Sequence, residues 1–420
     1  MSSLRVKESR SPIEISSSEQ IIKLNKLHVT PVNFSLDAEL KYGEPSKVAV
    51  FFLKLDEKHT FCLISVDLIW ISNDLAEDLR NKISKLTMTP VHRISIVASH
   101  THGSANDDPD FDFGLATQSY VNTIKDSIIS CVNRAYTASF ETVVFKVVEA
   151  ETDKVSINRR RKALFIHEGK IRFRTQNLPN FNAPHKHKFR KLEFRRVADG
   201  SLAALIFHLS CHPVADPAST VGADFPGFLR RFSQEKDNSN IPVGFIQGFS
   251  GDLRPKLIFK PRTLKDWILE LIIGKRFRPS VSGDSATLAK TILKAFEEKN
   301  SRATELFDIT PVSSKEEKIK IKLESGQTLK KELCFISWFF GEMKFQFLSA
   351  EVLSGFQNDD DKKHICIDAG YANGMVGYIP TSEDLLTGGY EVDGSRKKFG
   401  ISRRISEEFA LFLRDKLIQK

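Results

Sequence analysis

KVAVFFLKLDEKHTFCLISVD, residues 47–67, holds two apolar runs separated by a charged turn. The runs 47–56 and 60–67 are dense in Val, Phe, Ile and Leu, which marks a buried β-hairpin. Outward from it, helix and strand signals alternate. Residues 73–86 carry apolar side chains at helical spacing, and RISIVAS (93–99) is a short β-branched run that reads as a buried strand. Residues 116–136 predict a long amphipathic helix. TVVFKVVEA (142–150), LEFRRV (192–197), SLAALIFHLS (201–210) and IPVGFIQ (241–247) continue the strands. A helix over 285–299, strands at EEKIKIKL (316–323) and EMKFQFLSA (342–350), and a terminal helix over 404–417 complete the series. Helices interleaved with strands predict an α/β fold of layered mixed β-sheets flanked by helices. Residues 1–20, rich in Ser and charge, read as a disordered lead-in to a single domain over 21–420. The stretch from about 305 to 335 is a weak candidate for a subdomain boundary.

Composition narrows the class. Of 420 residues, 41% are hydrophobic and 27% charged, which suits a globular core. The formal charge of +9 favours anionic partners. No RNP motif, zinc finger or basic zipper accompanies it, so nucleic acid is not expected. The 32 Phe fit either a bulky core or an apolar substrate surface. Five scattered cysteines without CxxC do not form a disulfide framework, and a reducing compartment is the simpler expectation. The polar amino-terminal residues show no signal peptide, and no run of about 20 apolar residues spans a membrane. A cytoplasmic protein, peripheral to membrane at most, is expected.

Four strand ends carry chemistry. SHTHGSAN (99–106) follows the strand RISIVA, and His100 and His102, two residues apart, face one side if the strand continues. Small neighbours leave room for a metal; two histidines satisfied by hydrogen bonds in a loop are the alternative. In LIFHLSCHPV (205–214), His212 ends a strand before Pro213. His208 lies four residues earlier, roughly 13 Å along a regular strand, and reads as a core histidine. In FLSAEVLSGF (347–356), Glu351 follows an apolar run, where burial without a partner is costly; it either binds a metal or reaches solvent. GYANGMVGYIPTSEDLLTGGYE (370–391) sets Tyr378 and Tyr390 among glycines, as a ligand-contacting loop or an ordinary surface loop.

Read in order, these motifs resemble the amino-terminal catalytic domain of neutral/alkaline non-lysosomal ceramidases. SHTHGSA matches a THTHSGP-like strand end. SCHPV followed by GADFPG (222–227) matches a CHPT end and a G-D-[FY]-P-G turn. GFSGDLRP (248–255) partly matches a Gly-Asp-Val-Ser-Pro turn, and YANGMVGYIPTSEDLLTGGYE matches the Asn-containing Gly-rich loop. The resemblance spans roughly residues 25–395. It implies Zn2+ held by His100, His212, Glu351 and Tyr378. It also implies His102 handling protons, Tyr390 facing the scissile carbonyl, and Arg159 of SINRRRKAL (156–164) as the active-site arginine. Arg160 and Arg161 adjoin it, so the assignment can slip by one. The implied reaction is hydrolysis of the amide of an N-acyl lipid.

The pattern also departs from the family. Arg254 stands where the family has a serine that lines the site, and either recognises an anionic head group or points away. Ser349-Ala350 replaces Pro-Gly, and LHVTPVNFSL (27–36) stands where a Gly-rich opening is expected. The usual secretory signal and the carboxy-terminal immunoglobulin-like domain are not expected. After GDLRP comes KLIFKPRTLKDWILELIIGKRFRPS (256–280), a basic amphipathic stretch expected to lie on an anionic membrane surface, with Trp267 beside the substrate. A helix packed on the domain with a basic rim is the alternative. The His-x-His of APHKHKFRK (183–191) is flanked by cations and reads as a solvated loop. Two rivals to the lipid amidohydrolase stay open: a zinc hydrolase of a non-lipid amide or ester, and a non-catalytic lipid-binding relative.

Overall fold

Strand Lys47–Lys54 shows how the layers arise. Val48, Val50 and Phe52 enter one core, whereas Ala49, Phe51 and Leu53 enter another. Period-two alternation between two apolar surroundings requires a layer on each side. The computed structural model describes residues 4–23, 40–167, 170–183, 187–297, 305–357 and 364–418. Its helices are α1 (Asn73–Thr87), α2 (Gln118–Thr137), α3 (Phe225–Asp237), α4 (Leu264–Ile273), α5 (Asp284–Ala295), α6 (Ser382–Thr387) and α7 (Glu407–Ile418).

A ten-stranded sheet forms the centre. Its main path runs Val243–Gln247, Leu202–Leu209, His187–Arg196, Glu141–Thr152, Ile13–Ile21, Lys47–Lys54, Thr60–Val66 and Ile94–Ala98. Helix α1 buries Leu75, Ala76, Leu79 and Ile83, and α2 buries Tyr120, Ile124, Ile128 and Val132, against Val48, Val50 and Ile64. Both show the three-and-four spacing of an amphipathic helix. Helices α3 and α5 cover Leu205, Phe207 and Phe245. The opposite face packs on a four-stranded sheet, Val312–Ile319, Leu333–Phe340, Met343–Leu348 and Ile365–Ala369 in spatial order. Trp338 is the hinge of that core, 4.6 Å from the Phe347 ring and 5.1 Å from Phe61 of the large sheet. Helix α7 closes the outer face with Phe409, Leu413 and Leu417, and Lys344 Nζ donates to the Leu417 carbonyl at 2.9 Å. The layers are therefore helix, sheet, sheet, helix.

The large sheet also curls. Its edge strand Val243–Gln247 returns against strands Lys47–Lys54 and Thr60–Val66. Ser65 Oγ donates to the Phe245 carbonyl and accepts from the Phe245 amide, both at 2.8 Å. These are the edge groups that face away from strand Leu202–Leu209 and would otherwise stay unpaired. Gly244 permits the approach, since a Cβ there would lie 2.7 Å from the Phe51 ring. The curl brings the carboxyl ends of distant strands to one place.

Three expectations are corrected. Of the expected disordered lead-in 1–20, the described residues 4–20 are ordered: Leu4–Ser9 and Ile13–Ile21 are strands of the large sheet, with Ile13 and Ile15 buried. Two of the serines that suggested disorder are hydrogen-bonded within the fold: Ser18 Oγ accepts from Arg134 of α2 and Ser9 Oγ from the Phe145 amide. No subdomain boundary falls at 305–335, because Glu305–Phe307 pairs with Leu4–Ser9 and Val312–Ile319 pairs with Leu333–Phe340. The basic stretch 256–280 is helical only over Leu264–Ile273. LHVTPVNFSL lies outside the described residues, as does His185 of the second His-x-His. No described helix is long and apolar enough to cross a membrane.

Closing the sheet edge through one hydroxyl makes Ser65 costly to lose. Ser65→Ala should lower unfolding stability by about 1–3 kcal/mol, the cost of unpaired buried backbone groups. Gly244→Ala should cost a similar amount, about 1–3 kcal/mol, through overpacking. Urea melts followed by circular dichroism test both; wild-type midpoints in both variants would refute the role given to the curl.

Candidate metal centre and its cavity

Three parallel strand pairs end at the site. Thr60–Val66 pairs with Ile94–Ala98, Leu202–Leu209 with Val243–Gln247, and Met343–Leu348 with Ile365–Ala369. Parallel pairs put both carboxyl ends on one side, and crevices beyond such ends are where open sheets bind ligands. The loops that leave these six ends carry Ile69 and Trp70, His100 and His102, His212, Ser250 to Arg254, Glu351, and Tyr371 to Tyr378.

The ligating atoms of His100, His102 and His212 all lie within 4.8 Å of one another. Strand alternation is not the cause, contrary to expectation. The strand stops at Ala98, and His100 adopts a left-handed backbone, φ 65°, that turns its ring inward. Such a conformation is uncommon outside glycine and carries strain. The loop is clamped from below: a Cβ on Gly103 would stand 2.5 Å from the Gly222 carbonyl oxygen, so this glycine lets the loop press onto the GADFPG turn.

Hydrogen bonds fix the tautomers. His100 Nδ1 lies 2.8 Å from the Ile69 carbonyl, and His212 Nδ1 lies 2.8 Å from both the Ser250 and Leu253 carbonyls. Carbonyl oxygens only accept, so each Nδ1 carries the proton and each Nε2 presents a lone pair. Both Nε2 atoms point at Glu351 Oε1, at 3.5 Å from His100 and 2.9 Å from His212. Yet His100 Nε2 and Glu351 Oε1 are buried without a hydrogen bond of acceptable geometry. Two imidazole lone pairs and a carboxylate converging without a proton between them suit a metal ion, with the carbonyls as the outer support such ligands need. Burial alone would raise Glu351, but the two imidazoles outweigh it and hold the carboxyl well below its usual range. Burial pushes His212 down to about 4 and, with the neighbouring imidazoles, holds His102 well below the ordinary histidine value.

The other expected residues divide. Glu351 and Tyr378 are register partners in a short parallel bridge, so their side chains share a face. The Tyr378 hydroxyl accepts from Arg159 at 3.0 Å, and the Tyr378 and Tyr390 rings meet edge to face at 5.9 Å. The three adjacent arginines take different places. Arg159 lines the cavity, while Arg160 ties down the 384–388 turn and Arg161 binds the Pro179 and Ile273 carbonyls. Arg254 lines the cavity as well. Trp267 does not: it stands 56% exposed on α4, a helix with no buried residue, and so leaves the expected substrate contact. His208 is a core histidine, its Nε2 2.9 Å from the Asp368 carbonyl.

Two residues were missed. Tyr371, also left-handed at φ 55°, stacks on the His100 ring at 3.9 Å and reaches Ser250 Oγ at 3.4 Å. Glu391 bridges Arg159 Nε at 2.8 Å and Arg160 at 2.6 Å, a buried carboxylate between two guanidinium groups. Both lie inside the Gly-rich motif, and neither departs from ordinary composition there. The resulting cavity holds about 450 Å³, walled by Trp70, Phe113, Phe399, Pro213, Val214 and Pro279 around the polar centre. It can bind a cation at its base and an apolar group along its wall.

No family model matches the sequence, and no curated protein does. Among solved structures, a ceramidase in complex with C2 superposes with a TM-score of 0.71 at 12% identity, over 97% of this chain and 74% of that one. The neutral ceramidase from Pseudomonas aeruginosa gives a TM-score of 0.68 at 14% identity, over 98% and 76%. The chain therefore has the ceramidase-type catalytic-domain fold, as the motifs implied.

Glu391→Ala leaves the buried Arg159 without a carboxylate and Arg160 with Asp384 alone. It should cost about 3–5 kcal/mol of stability, the usual result of breaking a buried pair from one side. Glu391→Gln, which keeps one acceptor, should cost less. Thermal melts would show it; an unshifted Glu391→Ala midpoint would mean that the arginines find other partners.

Proposed function

We propose that the protein is a zinc-dependent amidohydrolase that cleaves the amide bond of an N-acyl lipid to a fatty acid and an amine. The observation that carries the reading is the convergence of two tautomer-locked imidazoles on Glu351 Oε1, a buried carboxylate oxygen without a hydrogen bond, in a partly apolar cavity. The ceramidase-type fold supports the reaction class, and the donor set of nitrogen and oxygen suits zinc.

His100, His212 and Glu351 would hold the ion, with Tyr378 on the Glu351 face. Bound there, zinc supplies Lewis acidity toward water and the amide carbonyl. The remaining work belongs to the chain. His102 takes the proton that water gives up as oxygen bonds to the carbonyl carbon, and returns it to nitrogen as the carbon–nitrogen bond breaks. Arg159, held rigid by Glu391, aims its guanidinium at the negative charge that develops on the carbonyl oxygen, and the Tyr390 hydroxyl donates to the same oxygen. Trp70, Phe113 and Phe399 exclude water from the acyl side.

The lipid half of the reading rests on α4. Leu264, Trp267, Ile268, Leu271 and Ile272 are all exposed, Leu271 at 85%, although a soluble helix normally buries such a stripe. Lys256, Lys260, Arg262, Lys265, Lys275, Arg276 and Arg278 flank it in sequence, with Asp266 and Glu270 the acids within 256–280, while Lys256 pairs with Asp153 and Arg278 with Asp284. Apolar side chains ringed by cations match an anionic bilayer surface. Pro279 and Ser280, just beyond α4, line the cavity, so the helix would dock beside the mouth.

Two measurements test these statements. Purified protein should carry one zinc per chain by elemental analysis, and His212→Ala should lose it. A folded wild type that takes up no zinc even on reconstitution would end the hydrolase reading. Trp267→Ser with Ile268→Ser should cut sedimentation with phosphatidylserine vesicles by about 10-fold or more, given the transfer energies of two large apolar side chains. Undiminished binding by the double variant would remove α4 as the docking element.

A further inference from the structure

Arg254 is a cation without an anion. It sits in strand Leu253–Pro255, paired antiparallel with Ser156–Asn158, so it lies opposite Ile157 and close to Arg159. Its side chain lines the cavity beside His212 and Glu351. Among the described residues no carboxylate forms an ion pair with it and no acceptor bonds its guanidinium; its Nε is buried and unsatisfied. Its one partner is the Phe277 ring, 4.4 Å from the guanidinium carbon, which orients the plane but accepts no hydrogen bond.

The acidic groups of the wall, Asp216, Asp224 and Glu351, form no ion pair with Arg254. Asp224 accepts from the Asp216 amide at 2.7 Å and from the Phe225 amide at 2.6 Å, and Ser285 Oγ donates to Asp216. Glu391 is saturated by Arg159 and Arg160. Burial and then the charge of Arg159 push Arg254 down to about 10, with no carboxylate opposing them. A buried guanidinium normally recovers its desolvation from a paired anion. Arg254 is half-buried with its Nε enclosed, and the more deeply buried arginines around it all have such a partner: Arg159 and Arg160 share Glu391, and Arg230 pairs with Asp67 at 2.7 Å. At Arg254 no such partner stands among the described residues, and the side chain lines the cavity that a substrate would enter.

We propose that Arg254 forms an anion subsite in the cavity, and that the substrate amide carries a carboxylate or phosphate on its amine half. This rests on the amidohydrolase reading above, because the acyl half of a lipid amide has no charge to offer. A planar fork held on an aromatic ring is suited to bidentate capture of either oxyanion. The substrate class is thus an N-acyl amino acid or an N-acyl phosphoamine rather than an uncharged N-acyl sphingoid base.

Calorimetric titration of the zinc-loaded protein with N-lauroylglycine, N-lauroyl-phosphoethanolamine and the uncharged N-lauroylethanolamine tests this, with fatty-acid release assayed on the same three compounds. Wild type should bind one of the anionic amides about 10- to 100-fold tighter than the uncharged one, as charge-assisted hydrogen bonds allow. Which anion wins separates the carboxylate source from the phosphate source. Arg254→Ser should collapse that ratio to near one, and Arg254→Lys, which keeps a point charge, should restore part of it; a merely structural Arg254 would not give this graded return. Equal affinity of wild type for all three, or a preference that survives in Arg254→Ser, would overturn the subsite and leave the hydrolase reading standing. A preference that depends on Arg254 without any fatty-acid release would remove the hydrolase and keep the subsite.

Discussion

A hydroxyl at one sheet edge governs how the rest assembles. Ser65 takes both free backbone groups of Phe245 and so seats the edge strand Val243–Gln247 against the sheet it belongs to. Without that return, the loops after Ile94–Ala98 and Leu202–Leu209 would leave opposite ends of an eight-strand path. With it, His100 and His212 come to a ring-centroid distance of 4.7 Å. The second sheet is anchored to the same point. Gly370 donates to the Gln247 carbonyl, Ala98 donates to the Tyr371 carbonyl, and Asn373 accepts from the Ile96 amide. One loop thereby joins both sheets exactly where Tyr371 meets His100.

Buried charge is then met in pairs. Glu351 is faced by two imidazoles and Glu391 by two guanidinium groups. Neither arrangement is an efficient way to gain stability, since desolvating ions costs as much as their attraction returns. What such pairs provide is position. Arg159 has bonds to Glu391, Tyr378 and the Gly251 carbonyl, which leaves its guanidinium few alternative orientations. Asp252 does the same for the backbone, accepting from Asn158, Ser354 Oγ and the Ser354 amide. Burial raises Asp252 to about 6. The cavity walls are held by polar bonds between loops, and the apolar cores lie behind them.

Much of this was legible in sequence because the site sits at strand ends. An apolar run that stops at a histidine or glutamate shows both where the strand finishes and where a polar side chain is held near the core. His100, His212 and Glu351 announce themselves that way. Tyr371 does not, since its place depends on a left-handed backbone that no residue type there requires. Glu391 looks like any glutamate beside a tyrosine until the strand carrying Arg160 is known to lie against it. The amino-terminal strands were hidden for a different reason: IEISSSEQI is two-thirds polar, and its burial comes from strands elsewhere in the chain. Leu333–Phe340 is apolar except for Ser337, yet its pairing depends on charged Val312–Ile319, whose pattern alone resembles a surface segment.

The segment after GDLRP ties two of these features together. Residues 256–280 leave the fold beside Arg254 and return to it: Ile258 bridges Phe277, Phe259 donates to the Arg276 carbonyl, and Arg278 is locked to Asp284 at the start of α5. The excursion is therefore a closed arm. Its outer end is α4, exposed and apolar. Its inner end supplies Phe277, the ring on which Arg254 rests. A serine in place of Arg254 would need no such ring, and an arginine without the ring would have no fixed orientation in a cavity of this size. The cation and its platform thus form one unit, and that unit is continuous with the surface that faces outward beside the cavity mouth. If the substrate is the anionic amide proposed above, it would meet the cationic rim of α4 first and the cation of Arg254 next, and one complementarity would serve both attraction to the surface and selection in the cavity.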